Sequence, residues 1–459
     1  MQKPAAIPTV KALYPWLVVA LLLVAYTLSF IDRQIISLLV DPIRRDLEIS
    51  DTQISLLQGL AFALFYTLMG IPIAQWADKR SRRNIIVIGI AVWSLMTAFC
   101  GIAKNYWIVF LGRLGVGVGE AALSPASYSM IADYFPSDRL STALSVYGAG
   151  PYFGSGLAYI LGGATIAYLD SLPELSVPVL GAVASWQLAF MLVGLPGLAV
   201  ALIIYKVVRE PDRKSSASVV TTQTTFLRDV IPYMWHHARF YFFHAVGMGL
   251  VALVAYSTFS WLPTYFVRVY HIPIAEVARN IGLLILVFGT LGIFAGGRLA
   301  DYLQVRRAHV DGTMRSVCMG AFFLAPAVLG ATVTGSATVS FIFVGIVFFL
   351  VAFPFGAGVA ALQMATPPHF RAQVSAVYLF VNNLIGLALG PTAVALFTDY
   401  VFKDDNAVGL SIGVVGALAG MASCVLCCLT LRPLREMLER TDAQSRDQGD
   451  TTSVLVQGA

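Results

Sequence analysis

Apolar runs long enough to cross a lipid bilayer recur along this chain from end to end. A helix that spans the hydrocarbon needs about 20 apolar residues. Runs of that kind are read at 14–40, 53–76, 84–103, 107–132, 140–168, 184–208, 240–267, 278–300, 315–334, 338–362, 373–399 and 408–430. They are too long for barrel strands and lack the alternation a barrel strand needs. Of the 459 residues, 58% are hydrophobic and only 12% charged, about half the charge of a soluble domain. So few charges cannot coat a water-facing surface. Disorder is excluded by the hydrophobicity, and a disulfide-built secreted domain by five scattered cysteines. The expectation is an all-α membrane protein with twelve transmembrane helices. The first run continues past Phe30 without a cleavage site, so it reads as a span and not as a signal peptide.

Basic residues assign the sides. Of the 30 Lys and Arg, 21 fall in loops or at span ends on one side, six on the other, and three (Arg33, Arg113 and Arg298) deeper within spans. The basic side is expected to be cytoplasmic, which puts both termini in the cytoplasm. The longest connection, 209–239, begins polar and turns aromatic. It reads as an amphipathic segment on the inner membrane surface. It divides the chain into a six-helix bundle at 1–208, a linker at 209–239, a second bundle at 240–430 and a tail at 431–459.

The two halves match each other. GVGEAAL at 117–123 corresponds to GAGVAAL at 356–362, and Gly150-Pro151 to Gly390-Pro391. AQWAD at 74–78 corresponds to GRLAD at 297–301, and SFIDR at 29–33 to SWLPT at 260–264. The order is kept, with offsets of 239, 240, 223 and 231 residues. Duplicated six-span halves imply a transporter with its site at the repeat interface. The duplication also supplies a control. Glu120 stands opposite Val359, and Asp32-Arg33 opposite Pro263-Thr264. Helix packing does not need these charges, which favours a functional role.

AQWADKRSRR at 74–83, Arg113 with Gly117, and Gly150-Pro151-x-x-Gly154 together resemble signatures of the major facilitator superfamily. That implies two pseudo-symmetric six-helix bundles and alternating access. FIDRQIISLLVDPIRRDLEISDTQ at 30–53 and GRLGVGVGEAALSPASYSMIADYFP at 112–136 resemble the bacterial Spinster branch. This narrower resemblance implies export of a lysolipid or sphingoid phosphate. An inner gate is implied as well, in which Arg82 meets Asp133 and Asp78 points at the amino end of span eleven.

Asp32, Arg33, Arg113 and Glu120 lie inside spans one and four. A charge at bilayer depth costs about 2.5–3.5 kcal/mol on insertion scales and needs a partner. Spans one and four run in opposite directions, so Arg33 and Arg113 fall at similar depth, roughly 9 Å from the midplane. Glu120 lies two turns from Arg113 on the same face. Arg33 is expected to reach Glu120, and Asp32 to meet Arg113. Asp32 and Glu120 read as the proton-coupling groups, Arg33 and Arg113 as ion-pairing groups for an anionic headgroup. Competition for an Arg sets a carboxylate's proton affinity and so couples proton to substrate. The alternative is a static ion-pair network that fixes helix packing.

Tyr147, Tyr152, Tyr256, Trp261, Asn382 and Asn383 are candidates for a cavity wall suited to an amphiphile. Asp41 reads as a solvated or gating residue at the outer end of span one. Gly115 and Gly119 offer a small-residue face for close helix approach, and the Gly-Pro pairs are expected to bend their helices. Cys424, Cys427 and Cys428 read as buried apolar thiols and not as metal ligands. No Walker loop is present. The expectation is a non-enzymatic, proton-coupled transporter with no cofactor, no metal and no nucleic-acid partner. It would work among membrane lipids on a small amphiphilic or anionic substrate, as a monomer. A symporter of small carboxylates, a proton-independent facilitator and a non-transporting sensor remain open.

Overall fold

The structure is a computed structural model. It describes residues 10–148, 150–171, 175–177, 181–211, 226–307, 309–367 and 370–439. Among the described residues, twelve helices are long and apolar enough to cross a membrane. They are α1 (Leu13–Leu38), α2 (Asp51–Ala77), α3 (Arg82–Cys100), α4 (Tyr106–Tyr134), α5 (Thr142–Asp170) and α6 (Ser185–Val207). The second six are α7 (Ala238–Tyr270), α8 (Ile274–Arg306), α9 (Gly312–Val333), α10 (Ala337–Ala365), α11 (Gln373–Phe402) and α12 (Asp405–Glu439). All twelve expected spans are present, within a few residues at most ends. The largest difference is in α12, which continues helically beyond 430 because Leu434 is buried and Arg435 binds Asp311 at 2.8 Å.

Local chemistry sets the helix starts. Ser50 and Gln53 form a capping box at the head of α2, satisfying two otherwise orphaned amides. Ser81 caps α3 and Asn105 caps α4. Along the spans, large apolar side chains such as Phe294, Val333 and Phe322 stay more than 60% exposed. That is the expected surface of a chain whose lateral solvent is hydrocarbon. Two three-residue strands, β1 (Leu175–Val177) and β2 (Gly181–Val183), pair antiparallel between α5 and α6. Nothing in the sequence pattern announced them.

The chain forms two compact units. The first comprises Met1–Ser218, Thr258–Leu286 and Pro391–Ser411; the second comprises Val219–Ser257, Val287–Gly390 and Ile412–Ala459. This division follows packing and therefore differs from the division by duplication at 208 and 240. Within the first unit, the Thr258–Leu286 segment packs on α5 through small residues. A Cβ on Gly282 would lie 2.7 Å from the Gly156 carbonyl oxygen, and one on Gly163 2.5 Å from the Ala278 Cβ. Such contact distances exclude any larger side chain there.

In the second unit, Phe240, Met314, Val317, Ala361 and Leu434 are among the buried core residues. The aromatic end of the linker packs on this core. Val230 is buried, and the Tyr233 hydroxyl donates to the Ala365 carbonyl at 3.2 Å. Trp235 on the same segment is 80% exposed. Residues 212–225 of the linker and 440–459 of the tail lie outside the described residues.

Candidate functional site

Four charges converge inside the first unit. α1 carries Asp32 and Arg33, and α4 carries Arg113 and Glu120; none is more than 7% exposed. One Arg33 Nη donates to Glu120 Oε2 at 2.5 Å, and the Ser29 hydroxyl donates to the same oxygen at 2.8 Å. The Arg33 guanidinium is packed among the rings of Phe30, Phe62 and Tyr66, its carbon 4.4–5.1 Å from their centroids. Such cation–π contacts offset part of the cost of burying the cation.

The second expected pair takes a different form. Arg113 donates to the main-chain carbonyls of Leu57 at 3.2 Å and Asp32 at 3.3 Å. No ion pair joins it to the Asp32 carboxylate among the described residues. Matching depth brought the two residues level, but the guanidinium satisfies itself on backbone oxygens. The Thr97 hydroxyl approaches the Asp32 carboxyl without closing a hydrogen bond. Asp32 Oδ1, Glu120 Oε1 and one Arg113 Nη are buried with no hydrogen-bond partner. Buried polar atoms are nearly always paired, so three unsatisfied ones together mark this cluster as unusual.

Close helix approach makes the cluster possible. A Cβ on Gly119 would sit 2.6 Å from the Trp93 amide nitrogen and 2.7 Å from the Gly89 carbonyl oxygen. Only glycine fits, so α4 packs backbone to backbone on α3 one residue before Glu120. Gly115 likewise faces Met96 on α3, so the expected small-residue face exists. Gly150 of the first Gly-Pro pair packs on Tyr26, where a Cβ would come within 2.7 Å of the ring.

A second set lies where α3 begins and α4 ends. The Arg82 side chain is 2% exposed and pairs with Asp133, as expected. It also binds Glu210 at 2.8 Å, the Ser129 hydroxyl at 3.0 Å and the Pro211 carbonyl at 3.1 Å. Glu210 was not anticipated, because it stands in the polar connection after α6. Its carboxylate further accepts the Arg83 amide and the Ser81 hydroxyl, each at 2.9 Å. Burial pushes the Glu210 carboxyl up, but these donors outweigh it and hold it below the usual carboxylate range. The side chain of Asp78 lies outside the described residues.

A folded value below the unfolded one gives stability that is complete above the unfolded pKa and is lost as pH falls through the folded one. The Arg82 network is therefore expected to stay intact at neutral pH and to open only as pH falls below the usual carboxylate range. Arg82→Ala should remove about 2–3 kcal/mol of local protection, read as faster amide exchange at 81–86 and 205–211. Glu210→Gln should show reduced protection at neutral pH and a flatter acid response. Unchanged exchange in both variants would remove the network's structural role.

A third set sits at the opposite helix ends and was missed from sequence except for Asp41. Arg268, near the end of α7, forks onto Asp51 at 2.7 and 2.9 Å and onto Asp41 at 2.7 and 3.0 Å. Arg44 binds Asp51 at 3.0 Å and Asp405 at 2.9 Å. Thr52 donates its amide and hydroxyl to Asp399 at 2.7 and 2.6 Å. Asp51, Asp399 and Asp405 bring oxygens within 4.8 Å of one another. Arg268, Arg44 and Thr52 already engage these carboxylates, so the cluster reads as an ion-pair network.

The cavity-wall candidates fall into two kinds. Tyr147 is fully buried and stacks on Tyr26 with centroids 4.8 Å apart. Trp261 is also fully buried, its indole donating to the Pro391 carbonyl at 2.9 Å. Asn382 is buried and donates to the Tyr378 hydroxyl at 3.3 Å. Tyr152, Tyr256 and Asn383 are half-buried. Of Cys424, Cys427 and Cys428, Cys427 alone fits the buried reading, since Cys424 is half-buried and Cys428 exposed. An apolar bilayer face accepts a thiol as readily as a core does.

Comparison with known proteins agrees with this architecture. An "MFS-type efflux pump" of Mycolicibacterium smegmatis is 28% identical over 422 residues, covering 92% of this chain and 93% of that one. "Protein spinster homolog 1" of Xenopus tropicalis is 27% identical over 406 residues, covering 84% and 73%. The crystal structure of a bacterial homologue of the human lysosomal transporter Spinster, inward-facing and unoccupied, superposes with a TM-score of 0.76. That match has 27% identity and covers 93% of this chain and 98% of the other. Residues 22–391 match the Major Facilitator Superfamily model; with twelve spans and relatives named as transporters, the chain belongs to that superfamily and is a membrane transporter resembling the Spinster proteins.

Proposed function

We propose that the chain is a proton-coupled secondary transporter of an anionic amphiphile, a lysolipid or sphingoid phosphate, working by alternating access. The observation that carries this reading is the buried Arg33–Glu120 pair with Asp32 and Arg113 beside it. Two carboxylates and two guanidiniums sum to no net charge. An anion that takes over Arg33 displaces Glu120 and adds a negative charge in a region of low dielectric. Proton uptake by a carboxylate restores the balance. Headgroup and proton are thereby linked through one guanidinium. Lys/Arg bias supports a cytoplasmic position for the Arg82 end and for both termini, in the inner membrane of a bacterium. A single chain carries the whole cluster, so a monomer suffices.

The test is internal pH in proteoliposomes on addition of a lysophospholipid or a sphingoid phosphate. Wild type should give a lipid-triggered pH change, and Glu120→Gln should abolish it while remaining folded. No change in wild type would reject proton-coupled movement of these lipids. A full response in Glu120→Gln would make the Arg33–Glu120 pair a packing element.

A further inference from the structure

In the second unit α9 and α12 pack antiparallel, and a row of contacts fixes their register. Arg435 binds Asp311, at the head of α9, at 2.8 Å. A Cβ on Gly420 would lie 3.1 Å from the Ala325 amide nitrogen, and one on Gly413 2.6 Å from the Thr332 hydroxyl oxygen. As α9 advances from Asp311 to Ala325 and Thr332, α12 runs back from Arg435 to Gly420 and Gly413. Between the first two contacts the same register sets one cysteine against another. Two turns on from Asp311 stands Cys318, and two turns back from Arg435 stands Cys428. The side chains agree with the register, since the Cys318 thiol approaches that of Cys428. Cys318 is buried and Cys428 exposed. Cys428 continues a row of exposed residues on α12, Leu418, Met421 and Val425, whose lateral solvent is hydrocarbon. One turn further on, the exposed Arg432 marks the polar boundary.

We propose that Cys318 and Cys428 are a dithiol oxidised to a disulfide between α9 and α12 by a lipid hydroperoxide. The place of Cys428 selects the oxidant. A thiol on the hydrocarbon face, one turn short of the first exposed cation, meets the acyl chains that carry such peroxide groups. The Cys428 sulfur attacks the outer peroxide oxygen. An S–O bond forms, the O–O bond breaks, and the thiol proton passes to the departing alkoxide, which leaves as lipid alcohol. The Cys318 sulfur then attacks the Cys428 sulfur. The S–S bond forms as the S–O bond breaks, and hydroxide leaves with the Cys318 proton as water. Two thiols lose two electrons, and one hydroperoxide gains them. The two other cysteines of α12 are poorer partners. Cys424 also approaches Cys428, but it lies four residues away on the same helix. Cβ atoms so placed are about 5–6 Å apart, beyond the roughly 3.5–4.5 Å that a disulfide spans. Cys427 is turned to α7, its Sγ 2.8 Å from where a Cβ on Gly247 would sit.

Transport plays no part in this chemistry, so the test reads the thiols alone. The full chain, reduced and placed in phosphatidylcholine nanodiscs, is treated with phosphatidylcholine hydroperoxide. It is then digested without reductant and mapped by mass spectrometry. Wild type should give one link, Cys318 to Cys428, reversed by dithiothreitol and matched by one lipid alcohol per link. Cys100, buried in the first unit, should stay a free thiol. Cys428→Ala, at an exposed position, should abolish the link and leave Cys318 open to alkylation. Cys318→Ala should leave a sulfenic acid on Cys428, trapped by dimedone. Cys424→Ala should keep the link. Melting temperature checks that each variant is folded; if Cys318→Ala is not, Cys318→Ser replaces it. Aqueous hydrogen peroxide at equal concentration should form the link more slowly than the lipid hydroperoxide. Absence of the link in wild type would overturn the proposal, as would its replacement by a Cys424–Cys428 link or its survival in Cys428→Ala. A faster or equal reaction with hydrogen peroxide would overturn the choice of a lipid oxidant.

Discussion

Arg33→Ala is expected to destabilise the first bundle by about 3–5 kcal/mol, and adding Glu120→Gln in the same chain should restore most of that loss. Removing one partner of a buried ion pair leaves an uncompensated charge, which accounts for the size of the effect. Glu120 is stranded in the single variant: its side chain is 1% exposed, and only Ser29 remains on Oε2. The converse variant should be milder. In Glu120→Gln the cation keeps the rings of Phe30, Phe62 and Tyr66, worth about 0.5–2 kcal/mol, and an amide oxygen still accepts from it. Thermal denaturation of the four proteins in one detergent measures the cycle. The interaction should be strongly non-additive, since the residues touch. Lipid-triggered proton movement should be absent from all three variants, including the restabilised double. Additive losses would mean that the pair is not coupled. Proton movement in the double variant would place coupling elsewhere, with Asp32 the next residue to test.

The pattern of what the sequence foretold has a physical logic. Spans follow from apolar length, so the twelve helices were legible. Arg33 meeting Glu120 was legible because both charges sit in opposed helices at known depth, and neither can reach water. Depth fixes level but not direction, which is why Arg113 turned to the Leu57 and Asp32 carbonyls and not to the Asp32 carboxylate. Gly119 was legible from its spacing with Gly115, since close helix contact has a small-residue signature.

Glu210 and Arg268 belong to a class that periodicity does not reach. Each stands at or beyond a helix end, where polar residues are ordinary, and each finds partners more than a hundred residues away. Only the fold brings Arg82 to Glu210 or Arg268 to Asp51. The duplication had marked residues 29–33 and 117–123 as places where the halves differ in charge. It could not mark a network built from residues that have no counterpart to compare.

That second network carries the other large expected effect. Arg268→Ala should open the Asp51 end of the first unit. Four hydrogen bonds from one guanidinium hold Asp41 and Asp51 together, and Asp51 is fully buried. Without Arg268 its carboxylate keeps only Arg44, which is shared with Asp405. The cost of leaving a buried carboxylate short of its partner is about 3–5 kcal/mol, a factor of 100 or more in an opening equilibrium. Amide exchange at 40–52 and 400–408 should accelerate by that order, while 81–86 at the far end stays protected. Asp51→Asn should give a smaller change, because Arg268 retains Asp41 and the Asp405 carbonyl. Arg268→Lys should rescue poorly, since an ammonium cannot fork onto two carboxylates as a guanidinium does. If alternating access requires this end to close, Arg268→Ala should also lose concentrative transport while still binding substrate. Unchanged exchange at 40–52 would show that Arg44 and Thr52 hold the end closed without Arg268. Restoration by lysine would show that charge alone, and not the forked geometry, holds Asp41 and Asp51 together.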